Sequence, residues 1–191
     1  MPELHDLAGK LAGVLGLIAY IPYIYSTIKR RTKPNPSSWF IWIIVSVMVI
    51  GSSYSTGATT TLTLLVCHGV GTVTTAFVAM KYGKSQWSRF DKACLAIALS
   101  SSIVWLCFSA LAALLINIGI ELIGFLPTLR NAYRDPKSED WLAWTFFLSA
   151  NVANLLAIND WSFAIFIYPM CMFIGTILIS AILFFPRPKT T

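Results

Sequence analysis

Apolar residues run through this chain in long blocks separated by short charged clusters. A membrane-crossing helix needs about 20 mostly apolar residues. Seven blocks approach or reach that length: residues 8–29, 38–55, 58–80, 92–110, 113–134, 141–158 and 161–185. The fourth and fifth run together from Ala93 to Leu129, and the pattern divides them near Ala112. The prediction is an all-α membrane protein of seven transmembrane helices.

Composition strengthens this reading. Of 191 residues, 57% are hydrophobic and 12% charged, too little polar surface for a water-soluble globule of this size. The net charge of +6 would suit nucleic acid, but its distribution does not. Lys29, Arg30, Arg31 and Lys33 follow the first block; Lys81, Lys84, Arg89 and Lys92 follow the third. Arg130, Arg134 and Lys137 follow the fifth, and Arg187 and Lys189 the seventh. Only Lys10 falls near the other side, so the bias predicts an outside N-terminus and a cytoplasmic C-terminus, with the plasma membrane as the expected location. The bilayer is then the expected surrounding, and no nucleic-acid partner is expected. The first block does not read as a cleavable signal: Glu3, His5 and Asp6 precede it and Arg30–Arg31 follow it.

The four cysteines, Cys67, Cys94, Cys107 and Cys171, fall inside predicted spans without Cys-x-x-Cys spacing, so they read as small packing residues, with no metal site. No nucleophile elbow, zinc-helix motif or phosphate loop occurs, and two histidines do not supply a catalytic triad. No enzyme and no cofactor are expected.

The chain repeats itself. "YIPYIYSTIKRRTKPNPSSWFIW" (20–42) and "GFLPTLRNAYRDPKSEDWLAW" (124–144) share a late proline, a basic exit with a second proline, and Trp-x-x-Trp. "CHGVGTV" (67–73) and "CMFIGTI" (171–177) share Cys-x-x-x-Gly-Thr, with His68 matched by Met172. This predicts a first triple-helix bundle at 1–91, a linker helix at 92–112 and a second bundle at 113–191. One linker span restores the orientation that an odd unit inverts, so the bundles are parallel. Repeats of this kind belong to transporters with a site near the midplane, although receptors and scaffolds also use duplicated bundles.

These landmarks resemble the SWEET and PQ-loop superfamily of 3+1+3 membrane transporters. The likeness covers nearly the whole chain through loose motifs. Tyr23 and Thr128 stand where the family often has glutamine after the proline, and neither Trp-x-x-Trp stretch contains the proline of SWEET transporters, which argues against a close SWEET orthologue. The resemblance implies a small polar solute carried by alternating access, with Pro22 and Pro127 as hinges. It also implies that His68 and Met172 occupy the positions of a substrate-contacting asparagine pair.

An ionisable residue inside a span is costly and is by default a functional candidate, so His68 leads; the alternative is a neutral imidazole bonded to a neighbouring helix. Glu121, thirteen residues before Arg134 as His68 is before Lys81, lies at a similar depth of roughly 20 Å from the cytoplasmic boundary. Its spacing from Pro127 is similar to that in KDEL receptors. Asn151, Asn154 and Tyr168 are further wall candidates, and Asn117 a weaker one. The Trp pairs read as an interfacial belt, and the Gly-Thr pairs as packing. Where SWEET transporters stack sugar on tryptophan, this chain has Gly51 and Ala153. "WLAWTFFLSAN" also resembles Pnu-type vitamin and nucleoside transporters, with Leu148 at their polar position. A receptor or lipid-handling protein that binds without carrying is the remaining alternative, and homo-oligomer formation is left open.

Overall fold

A computed structural model describes residues 2–31, 36–82, 89–134, 136 and 139–185. It is all-helical, with no strand among the described residues. The α-helices are α1 (Pro2–Ile28), α2 (Pro36–Ser55), α3 (Leu62–Tyr82), α4 (Arg89–Cys107), α5 (Ala110–Arg134), α6 (Trp141–Leu156) and α7 (Phe163–Phe184). The described stretches that cross helices α1, α3 and α7, at mean hydropathies of 1.6, 1.7 and 2.2, are long and apolar enough to cross a membrane. Leu7, Leu11, Val14 and Ile21 on α1, and Val66, Val70 and Phe77 on α3, stand exposed on the outer surface. Exposed apolar faces on long apolar helices fit a membrane protein.

Local chemistry sets the boundaries. Pro36 opens α2, where its missing N–H costs nothing. Gly57, at φ 97°, ends the segment after α2: the Ala58 N–H reaches Ser53 O and the Gly57 N–H reaches Tyr54 O, both at 3.0 Å. The same wiring ends α1, with Arg31 N–H on Ser26 O and Arg30 N–H on Thr27 O. There the left-handed position is filled by Arg30 at φ 57°, a conformation that disfavours a side chain.

The break expected near Ala112 falls earlier, at Phe108–Ser109. Ser109 decides this: its Oγ accepts from the Ala112 N–H at 3.1 Å and its carbonyl from Ala113, which starts α5 in the middle of an unbroken apolar run. Asp140 starts α6 in the same way, with Oδ1 accepting from Leu142 N–H and Ala143 N–H at 3.0 Å. Proline lies inside three helices, Pro22 in α1, Pro127 in α5 and Pro169 in α7. Pro169 was not singled out from the sequence. The hinge candidate Pro127 has its side chain outside the described residues.

Helix α1 packs most extensively on α6 and α3, α2 on α3 and α5, α7 on α6 and α5, and α4 on α5 and α2. Small residues permit the closest of these approaches. Gly9 lies against the Thr60 carbonyl, Gly13 against Thr63 and Cys67, and Gly16 against Leu64 and the His68 ring edge. Gly51 of α2 receives the ring of Trp105 from α4. The main core cluster joins Val45 and Val49, Leu65, Leu114 and Ile118, and Tyr168 and Met172.

Candidate functional site

Six helices enclose a cavity of about 200 Å³, and α4 contributes nothing to its described wall. Its lining begins at Tyr20 on α1 and ends at Ile50 on α2, starts at Leu65 on α3, and stops at Asn151 on α6 and Tyr168 on α7. No lining residue comes from 1–19, 51–64 or 152–167, so the cavity occupies the half of the molecule nearer the end of α1 and the start of α6. At the opposite end the helices are tied together. Thr60 Oγ1 donates to Ala157 O, and His5 Nδ1 is 2.9 Å from Leu156 O.

His68, Met172, Glu121, Asn151 and Tyr168 all reach this one cavity. Asn154 does not: it is 1% exposed, with neither side-chain polar atom bonded among the described residues. Asn117 is also fully buried away from the wall, its Nδ2 donating to Ala113 O at 2.8 Å. His68 and Glu121 share the wall, yet no ion pair joins them among the described residues. The repeat has an asymmetric outcome here. The offset of 105 that matches Pro22 with Pro127 also matches Gly16 with Glu121. In one half a glycine on the first helix backs a histidine on the third; in the other, an acid on the first accompanies a methionine on the third.

Aromatic rings form most of the remaining wall. Tyr20, His68 and Phe147 meet edge to face, with centroids 5.2–5.8 Å apart and planes 85–90° apart. Trp39 lies 5.4 Å from Tyr23 and 4.9 Å from Trp42, and Trp144 lies 5.7 Å from Phe147. The belt reading of the Trp pairs is therefore corrected. Trp39 is 7% exposed and lines the cavity with Trp42 and Trp144, whereas Trp141 alone is outward-facing, at 60%. In Trp-x-x-Trp the two rings sit about 300° apart around the helix, close enough for one face when a cavity is there to receive both. The packing reading of the Gly-Thr pairs needs a similar amendment. Gly71 packs on the Tyr20 ring, but Thr72 and Thr176 line the cavity. The Thr72 Oγ1 lies 3.2 Å from the Tyr20 hydroxyl, while Thr176 donates to Met172 O at 2.9 Å.

Glu139 was not singled out because it sits in the loop before α6, where acids are ordinarily solvated. It instead enters the wall, accepting from Trp144 Nε1 at 3.0 Å. Burial pushes its carboxyl above the usual range, and neighbouring Asp140 adds to the shift while the Trp144 bond opposes it. Asp140 ties this mouth to α1, its Oδ2 accepting from Ser26 Oγ at 3.0 Å.

The fold and site define an all-helical protein with membrane-compatible helices and an internal, aromatic-lined cavity. Comparison with protein-family models, with curated proteins and with solved structures found no match to this chain.

Proposed function

We propose that this protein is a multi-pass transporter of the SWEET and PQ-loop type, which moves a small polar solute by alternating access between two parallel triple-helix bundles. The carrying observation is convergence: His68 with Met172, and Thr72 with Thr176, matched pairs 104 residues apart in sequence, meet on one cavity wall. Packing supports the same plan. The contacts α1–α3, α2–α3 and α1–α6 have counterparts in α5–α7, α6–α7 and α5–α2, which leaves α4 as the linker. With the basic clusters cytoplasmic and the N-terminus outside, the cavity lies toward the cytoplasm and the tied end outside. Pro22 then provides a weak point in α1 beside the cavity, since proline removes one helical hydrogen bond.

Counterflow of labelled solutes in proteoliposomes tests this reading. Concentrative exchange that is lost in His68→Ala and kept in Cys67→Ala is the expected result. A ligand that binds the purified protein but never exchanges across the bilayer would make it a receptor.

A further inference from the structure

This inference rests on the transport reading for the site's use, and on the cavity chemistry alone for its ligand. We infer that the cavity is built for a small organic cation, a protonated primary amine, held by acceptors and aromatic faces.

Hydrogen-bonding capacity is the first argument. Glu121 Oε2, Asn151 Oδ1 and His68 Nε2 are buried on the cavity wall without a bonded partner among the described residues. The Asn151 oxygen can only accept, the Glu121 carboxyl accepts at both oxygens when ionised, and the imidazole nitrogen accepts in one tautomer. Three donors of the same wall are already bonded inside the protein. Asn151 Nδ2 is on Phe147 O at 2.9 Å, which fixes the orientation of that amide because a carbonyl cannot donate. The Thr176 hydroxyl is on Met172 O, and Trp144 Nε1 is on Glu139. Tyr168 and Glu121 line the same wall. Three buried acceptors of the lining residues are thus left without a partner, and a ligand that brings donors would supply one. A buried acceptor without a partner is unfavourable, and an ammonium group with three N–H bonds satisfies several at once.

Charge and surface agree. The described wall carries two carboxylates, Glu121 in its depth and Glu139 at its mouth, and no lysine or arginine. The rings of Tyr20, Tyr23, Trp39, Trp42 and Trp144 supply quadrupole faces, which attract a desolvated cation. An anion would meet two acidic side chains and no lysine or arginine on the described wall. A neutral polyol brings hydroxyl donors but no charge for the carboxyl groups and the ring faces.

The test compares butylamine, 1-butanol and butyrate, which share a chain and differ in the head group, plus tetramethylammonium, which has charge but no N–H. Binding to the purified full-length protein in detergent is followed by tryptophan fluorescence, with thermal shift in parallel. Butylamine is expected to bind at least tenfold more tightly than butanol or butyrate, and more tightly than tetramethylammonium. Glu121→Gln should lower its affinity at least tenfold. Should that variant fail to fold, Glu139→Gln takes its place with a smaller loss, and the wild-type ranking stands without either. Equal binding of butanol, or preference for butyrate, overturns the inference. Tetramethylammonium matching butylamine also overturns it, since the acceptors would then be idle. Binding of butylamine without counterflow refutes transport and leaves the ligand class standing; counterflow of a neutral solute with no amine binding does the reverse.

Discussion

Substituting alanine for glycine at two positions should have opposite effects on stability. At Gly71 an added Cβ would sit 2.7 Å from Tyr20 Cγ and closer still to Cδ2 and Cε2. Tyr20 has little room to retreat: it is 8% exposed, held edge-on by His68 and Phe147, and its hydroxyl contacts Thr72. Forcing a methyl into a packed core costs about 1–3 kcal/mol. Losing the hydroxyl contact adds about 0.5–1.5 kcal/mol. Alanine's better helix propensity returns about 1 kcal/mol. The net expectation for Gly71→Ala is a loss of about 1–3 kcal/mol, or a melting temperature roughly 2–10 °C lower for a chain of this size. At Gly119 nothing lies within 4 Å of the new carbon, so the propensity gain alone remains and Gly119→Ala should melt slightly higher. Thermal unfolding in detergent, read by tryptophan fluorescence, measures both. Tyr20→Leu in the Gly71→Ala background should recover part of the loss, giving a non-additive cycle. Equal melting temperatures for the two alanine variants would refute the packing of α1 on α3 described above.

Other expectations follow from the ends of the helices. Asp140→Ala should cost about 1–2 kcal/mol, because it removes the cap of α6, and Ser26→Ala should cost less, because it removes only the tie to α1. Chemical unfolding of the two variants ranks them, and the reverse order would be inconsistent with the cap. Arg30→Gly should stabilise the end of α1 by about 1 kcal/mol, since glycine adopts positive φ without strain; a lower melting temperature would contradict this. Glu139 gives a pH dependence whose sign is fixed by its raised folded-state pKa. Such a group contributes stability at acid pH and loses it as pH rises through that folded value, above the ordinary carboxylate range. Glu139→Gln does not titrate and keeps an acceptor for Trp144, so it should melt higher than wild type near neutrality and converge with it in acid. A gap that widens on acidification would reverse the assignment.

Much of this was legible in the chain because lipid and helix impose long-period signals. Apolar blocks and basic clusters located the α-helices of the described residues, and His68 and Met172, the unlike residues of the Cys-x-x-x-Gly-Thr frame, both line the cavity. What was not legible depends on contacts between distant segments. Ser109 reads as one small residue among several until its Oγ is found on Ala112 N–H. Trp39 and Trp141 have the same local context, yet one faces the cavity and the other the exterior, because each depends on which helix packs beside it. Asn154 and Asn151 differ by three residues on α6, and only Asn151 meets the cavity. Periodicity fixes their relative angle but not the direction of either. Glu139 escaped notice because loop acids are so often solvated.

The unequal halves of the cavity bear on how such a chain could arise or be rebuilt. Two joined copies of the first half would carry two imidazoles at mid-depth with Gly16 in both acid positions. Two joined copies of the second would carry Glu121, Glu139 and Met172 twice each and no imidazole. Neither single-half dimer would carry an acid and an imidazole once each, so on the proposed two-bundle plan only a chain with unlike halves offers a ligand with two different ends one preferred way round. On that plan the polarity of the site comes from the difference between the halves, and a symmetric dimer of either half would lack it.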